Sequence, residues 1–309
     1  MAHHEGPTFL ILGAQRSGTT WFASMLTRQP NVFLPACKEL HFFTRYYGNG
    51  REWYDAQFAA ASASGFSVRG EATPNYLAVT HPEYAQVADR IAGYRRDLRF
   101  VVLLRNPIDR ALSAFLHHAV RGRFSPLRGI ETHLSDLLQG RDRFGVLEFG
   151  RYGAHLAHYL RLFDRSQFHV LLYEELAAGN AQSMLSETLE FLGAQRTDVR
   201  GPFDKRVNVA PRSLHAARLG CLLSFWMRND PIRVRFGGMT ARLARAGDII
   251  DRPVSLDVEI RRQLADYYYE DVCRLRGLLG RHLDAWSDFY SDPFGSGKET
   301  PRGTQHLMR

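Results

Sequence analysis

Two stretches of this chain combine residue types and spacings suited to holding oxyanions. Gly13 to Thr20, GAQRSGTT, keeps the GxxxxG spacing of a phosphate-binding loop, in which successive backbone N–H groups and the positive end of the next helix cradle anionic oxygens. A nucleoside-triphosphate loop continues with Lys for the β- and γ-phosphates and with Ser or Thr for Mg²⁺. Here both positions are threonine, Thr19 and Thr20, and the cation, Arg16, stands inside the loop. Metal-assisted triphosphate hydrolysis is disfavoured, whereas an anion held by Arg16, Thr19 and Thr20 needs no metal. Taken alone, the motif also reads as an ordinary glycine turn.

The second stretch is LRFVVLL, Leu98 to Leu104, followed at once by Arg105, Asn106 and Pro107. A continuous apolar run of this kind is buried in a parallel sheet. Asn106 is a suitable N-cap, Pro107 a good first helical residue, and Asp109 suits the positive end of a helix running to about Arg121. Arg105 then lies at the carboxyl end of a buried strand, where ligands of open α/β sheets gather, and Ser113 follows two turns along the helix. A guanidinium and a hydroxyl converging there hold a second phosphate; the plainer reading is an Arg that caps a carbonyl and a Ser that faces solvent. Two anion positions in one sheet suggest a ligand phosphorylated at two places.

The elements that must position these groups alternate along the chain. Phe9 to Gly13 reads as a strand, with a helix-compatible segment after the loop as far as Arg28. The run Phe168 to Tyr173 follows the amphipathic stretch Tyr152 to Phe163 and precedes the helical pattern Ala181 to Leu192. This predicts an α/β fold with a P-loop-type central parallel sheet flanked by helices. Ile260, Leu264, Tyr268, Val272, Leu275 and Leu279 recur at helical spacing, with Asp257 and Glu259 in the opening turn, and predict one long helix packed on the core. Ala59 to Ser64 reads as a helix end and loop. The domain is expected over 1–290, and 291–309, polar and rich in breakers, as a disordered tail.

The chain has 309 residues, 45% hydrophobic and 23% charged, which excludes disordered, collagenous and coiled-coil classes. No run reaches the roughly 18 apolar residues of a membrane span, and the start lacks the features of a signal peptide, so the expected location is cytoplasmic. Cys37, Cys221 and Cys273 are far apart without CxxC spacing, which indicates neither a disulfide framework nor a zinc site. Forty basic residues against 32 acidic give a net charge of +8, and an anionic partner is expected: phosphate, sulfate, nucleic acid or an anionic membrane surface all fit that balance.

Four motifs in order, GAQRSGTTW at 13–21, CKELHFF at 37–43, GEATPNYL at 70–77 and LRNPIDRALSAF at 104–115, make the chain resemble the sulfotransferases that use 3′-phosphoadenosine 5′-phosphosulfate (PAPS). The resemblance is to the branch containing bacterial enzymes and heparan sulfate sulfotransferase domains, and it extends more weakly from Thr8 to about Asp288. It implies a single sulfotransferase domain in which Arg16, Ser17, Gly18, Thr19 and Thr20 bind the 5′-phosphosulfate and Arg105 and Ser113 the 3′-phosphate. Glu39 is implied as the general base and Arg16 as stabilising the transferring group; His41 reads as a competing base, since an imidazole needs little tuning, or as a residue orienting the acceptor or Glu39. Burial among Phe42 and Phe43 would raise the Glu39 pKa while Lys38 would lower it. In the heparan sulfate branch a Lys follows the Glu before Thr-Pro; here that position is Ala72, so Arg16, helped by Lys38, must carry the neutralisation. Glu71 reads either as an acceptor contact or as a carboxylate satisfying loop amides.

Family members place a basic loop over the nucleotide at the stage of KRVNVAPR, residues 205–212, which assigns Arg212 to donor binding or to a solvated cluster. The arginine-rich, apolar stretch 214–247 reads as a helical acceptor-side lid within 214–250, as a membrane-surface contact for a lipidic acceptor, or as a helix pair covering the core. The implied reaction is sulfuryl transfer from PAPS to a hydroxyl or amine of a small-molecule, glycoside or lipid acceptor, releasing adenosine 3′,5′-bisphosphate (PAP). No metal is required and no nucleic acid is expected. A P-loop small-molecule kinase and a basic nucleic-acid-binding protein are the alternatives.

Overall fold

A computed structural model describes residues 5–119, 121–125, 127–194 and 255–289. Five strands form one parallel sheet: β1 (Phe9–Gly13), β2 (Val32–Phe33), β3 (Val68–Ala72), β4 (Arg99–Leu104) and β5 (Phe168–Leu172), in the order β2-β3-β1-β4-β5. β1 lies between β3 and β4, with Ile11 opposite both Ala72 and Val101. The chain builds β2 and β3 on one side of β1, then crosses over to build β4 and β5 on the other. In open α/β sheets the crevice beyond the carboxyl ends at such a reversal is where ligands bind.

Side-chain alternation along the strands sorts the core into two layers. Leu10 and Leu12 of β1, with Phe100, Val102 and Leu104 of β4, face one way. They pack against α4 (Val87–Tyr94), α5 (Pro107–Ala119), α7 (Tyr152–Tyr159) and the long α10 (Val258–Leu279). Phe9, Ile11, Val101 and Leu103 face the other way, against α1 (Thr19–Leu26) and α9 (Ala181–Leu192). Because β1 and β4 are buried on both faces, both read as unbroken apolar runs. Truncating Leu103, which is fully buried, would cost about 2–5 kcal/mol. The shorter helices α2 (Gly50–Ala56), α3 (Ala59–Ala63), α6 (Ile130–Asp136) and α8 (Tyr173–Ala177) fill the connections.

The predicted α/β architecture and single domain are present. Asn106 caps α5, its Oδ1 accepting from the Ile108 N–H at 3.0 Å, and Asp257 caps α10, accepting from the Ile260 N–H at 2.7 Å. α1 and α7 stop short of the predicted ends at Arg28 and Phe163. β3 has no counterpart in the sequence reading: VRGEA does not look like a strand, yet all five residues are buried. Arg212, the segment 214–250 and the tail 291–309 lie outside the described residues.

The segment carrying Arg105 is tied down by the end of α10's connection. Asn106 Nδ2 donates to Asp288 at 2.7 Å, its N–H donates to Glu174 at 2.7 Å, and Arg261 pairs with both Asp288 and Asp109. Trp286, fully buried, donates its indole N–H to Glu174 at 3.0 Å. This polar network holds the mouth of the β4–α5 turn to α8 and α10.

Candidate active site

Gly18 turns the chain from the loop into α1 at φ 86°, a left-handed conformation that costs glycine little. A Cβ there would stand 3.2 Å from the Tyr173 ring. As N-cap, Gly18 offers no side chain to the amides that open α1, which together with the positive helix end suit an anion. Thr19 is buried, and the fully buried Ser17 turns its side chain inward, beside the Tyr152 hydroxyl.

Arg16, in the left-handed region at φ 70°, sends its side chain across to α5. Its Nε donates to Ser113 Oγ at 3.1 Å and its Nη1 to His117 Nδ1 at 3.3 Å. Arg105 points back at the loop: its Nη1 donates to the Arg16 carbonyl at 3.4 Å, while its guanidinium lies 4.7 Å over the Tyr173 ring. The loop and the second strand tip therefore share one cleft. Burial, then repulsion by Arg105, Arg121 and Arg110, lowers the Arg16 pKa to about 10; it stays protonated at neutral pH. A group of cations that repel one another, beside uncapped amides, is stabilised by an incoming anion.

His117 follows Ser113 by one helical turn. Burial, then the charges of Arg16 and Arg121, pushes its pKa down to about 3, so the imidazole is neutral. Arginine only donates, so Nδ1 accepts and the ring proton sits on Nε2.

The second loop, at 37–43, reaches the first through Lys38. Its Nζ donates to Thr20 Oγ1 at 3.0 Å and to Glu39 Oε1 at 3.0 Å, and His41 Nε2 lies 3.4 Å from Glu39 Oε2. Burial works to raise the Glu39 pKa, but the His41 hydrogen bond and the Lys38 charge outweigh it and hold the carboxyl below its ordinary value. The opposing pulls seen in the sequence thus resolve in favour of the carboxylate anion. His41, like Arg16, is a non-glycine residue at positive φ, here 53°, a conformation that L side chains adopt when surrounding contacts impose it.

Those contacts come from β3 and the turn after it. Glu71 is fully buried and accepts four hydrogen bonds: from Tyr54 at 2.7 Å and Tyr76 at 2.8 Å on Oε1, from Thr73 at 2.7 Å and the Leu40 N–H at 3.1 Å on Oε2. The His41 N–H donates to Thr73 Oγ1 at 3.2 Å, and the Ala72 N–H to the Lys38 carbonyl at 3.1 Å. Burial pushes the Glu71 pKa up, opposed by its four donors. A carboxylate offers about four acceptor sites, and all four are filled. Of the two readings open in the sequence, the structure gives Glu71 the one that satisfies a loop amide.

The structure therefore brings Arg16, Gly18, Thr19, Thr20, Lys38, Glu39, His41, Arg105 and Ser113 to one end of the sheet. Sequence reasoning missed His117 and Tyr173. Both had a signal: His117 is four residues past Ser113 on the same helix face, and Tyr173 stands at the tip of the strand beside β4.

Known proteins share part of this sequence and its fold. A relative from Dictyostelium discoideum named membrane-associated sulfotransferase kil1 is 32% identical over 133 residues, 41% of this chain and 27% of its own. The human heparan sulfate glucosamine 3-O-sulfotransferase 6 is 28% identical over 190 residues, 62% of this chain and 53% of its own. The chain thus spans about half the length of the heparan sulfate relative and about a quarter of kil1. The crystal structure of a sulfotransferase from Alicyclobacillus acidocaldarius superposes with a TM-score of 0.63 at 23% identity, covering 91% of this chain and 98% of that one, and shares the fold. The sequence profile described as Sulfotransferase domain matches residues 7–212, two thirds of the chain, which therefore belongs to the sulfotransferase domain family.

Proposed function

We propose that the protein transfers a sulfuryl group from PAPS to a hydroxyl or amine of a small-molecule, glycoside or lipid acceptor, with Glu39 as general base. The observation that carries this reading is the interlock of Arg105 with the Arg16 loop in one cleft between the tips of β1 and β4. Two anion positions bridged by two arginines suit a nucleotide phosphorylated at both ends. The donor supplies an activated sulfuryl group, and the chain supplies position and charge. Arg105 and Ser113 take the 3′-phosphate; Arg16, Thr19, Thr20 and the amides around Gly18 take the 5′ end; Arg212, outside the described residues, adds to donor binding.

The acceptor oxygen attacks sulfur in line and the bond from sulfur to the bridging oxygen breaks. Its electron pair stays on the departing phosphate, and the acceptor proton passes to the Glu39 carboxylate. His41, 3.4 Å from Oε2, orients the Glu39 carboxylate or the acceptor. The products are PAP and a sulfate ester, or a sulfamate from an amine, and the chemistry demands no metal.

Thermal-shift titration separates the alternatives. PAP should raise the melting temperature, ATP with Mg²⁺ and oligonucleotides should not, and Arg105→Ala should weaken the PAP shift most among single substitutions in the cleft. Stabilisation by ATP with Mg²⁺ alone would point to a kinase, and salt-sensitive stabilisation by oligonucleotides alone to a nucleic-acid-binding protein. Among the described residues no helix is long and apolar enough to cross a membrane. A cytoplasmic location and a membrane-surface contact through 214–247 are part of this proposal, the latter tested by cosedimentation with anionic vesicles.

A further inference from the structure

Arg16 and Lys38 both reach the opening of α1, but they leave it in different directions. Arg16 turns its Nε and Nη1 to Ser113 and His117 on α5, toward the second anion position. Lys38 stands between Thr20 Oγ1, in the first turn of α1, and Glu39 Oε1, at 3.0 Å from each. We propose that Lys38 is the catalytic cation that holds the transferring sulfuryl oxygens, while Arg16 serves the nucleotide's phosphates. The proposal rests on the PAPS reading above and sharpens it.

The argument is one of position. In an in-line displacement the sulfur travels from a leaving oxygen, which the α1 cradle holds, to an attacking oxygen, which the base must touch. A cation already in contact with a cradle hydroxyl and with the base carboxylate lies along that path. The Lys38 backbone is pinned by the hydrogen bond from Ala72 and by the Glu71 cage around Leu40. The side chain retains partial solvent access, at 21% exposure, which leaves the ammonium room to turn on a fixed anchor.

Residue type agrees. Of the 40 lysines and arginines only Lys38, Lys205 and Lys298 are lysine. A guanidinium is a rigid fork suited to a fixed phosphate, whereas an ammonium is a compact charge with three rotatable donors that can follow a moving group. When Lys38 turns to the sulfuryl oxygens, Glu39 loses part of the charge that holds its pKa down, and its affinity for the acceptor proton rises as transfer begins. The balance of atoms is unchanged: sulfur exchanges the bridging oxygen for the acceptor atom, the proton ends on Glu39, and Lys38 keeps all of its own.

PAP and PAPS differ by the sulfonate alone, so their affinity ratio isolates the contact. Calorimetric titration of the full chain with each ligand, without acceptor, should show Lys38→Met weakening PAPS about tenfold, the scale of one charge-assisted hydrogen bond, and PAP less than twofold. Lys38→Arg should recover part of the loss, and the double variant Lys38→Met with Glu39→Gln should keep most of it, excluding an effect through the unpaired carboxylate. Lys38→Gln carries the same test should the Met variant fold poorly. Equal weakening of both ligands, or none, overturns the proposal while the donor reading stands. Failure of the parent protein to bind either ligand overturns both.

Discussion

Replacing Glu71 by Gln changes one oxygen to an NH₂ group, yet it should destabilise the protein substantially. Four donors converge on this carboxylate, two on each oxygen, and an amide has only one oxygen to offer. The Leu40 N–H cannot rotate, so the amide oxygen is best placed on the side of Leu40 and Thr73. The NH₂ then confronts the Tyr54 and Tyr76 hydroxyls inside a site with no solvent access. Either hydroxyl can turn to accept, but its own hydrogen then lacks a partner. Two buried groups left unsatisfied cost about 1–3 kcal/mol each, so the variant should lose about 2–6 kcal/mol and melt about 4–24 °C lower, at about 2–4 °C per kcal/mol for a large domain. Scanning calorimetry of Glu71→Gln, Tyr54→Phe and the double variant measures this. The double variant should lose less than the sum of the singles, because both remove the same contact. A melting point within about 2 °C of the parent, with a raised acceptor KM instead, would refute the cage and restore Glu71 to the acceptor.

Two further outcomes follow from the site and the core. Glu39→Gln should keep the PAP-induced thermal shift while lowering transfer by about 10²- to 10⁴-fold, the usual contribution of a general base; assay against an acceptor panel checks it, and full activity would move the base elsewhere. His155 is buried with its Nδ1 accepting from the Thr80 N–H and its Nε2 donating to the Glu148 carbonyl, and burial lowers its pKa to about 3. Unfolding lets it bind a proton below its ordinary value of 6.5, so its contribution to stability is complete above that pH and falls by about 1.4 kcal/mol per pH unit toward 3. Urea titrations at pH 6.5 and pH 5 should therefore differ by about 2 kcal/mol more in the parent than in His155→Gln, and equal slopes would contradict a neutral buried imidazole.

What could be read from the sequence divides along a physical line. β1, β4 and β5 were legible because burial on both faces leaves them almost wholly apolar, Arg99 and His169 apart. α5 was legible because Asn106 and Pro107 write its start, and α10 because its apolar stripe repeats over six turns. β3 failed the same tests because its burial is polar: Arg69 donates to the carbonyls of Gly6 and Phe66, and Glu71 collects its four donors from Leu40, Tyr54, Thr73 and Tyr76. Hydropathy counts such residues as exposed, since the partners that neutralise them lie up to 63 positions away. The chemistry followed the same division. A glycine loop or a strand-end arginine is a local pattern, and its place in the cleft could be anticipated. Which way Arg16 points, and that Lys38 bridges Thr20 to Glu39, depend on how β3 docks the 37–43 loop against α1. That docking combines the burial of Leu40, Phe42 and Phe43 in the core with the Glu71 cage and the Ala72–Lys38 hydrogen bond. A motif search on 37–43 therefore finds the base but not the cation that serves it, because the atoms that aim Lys38 belong to a strand the pattern does not reveal.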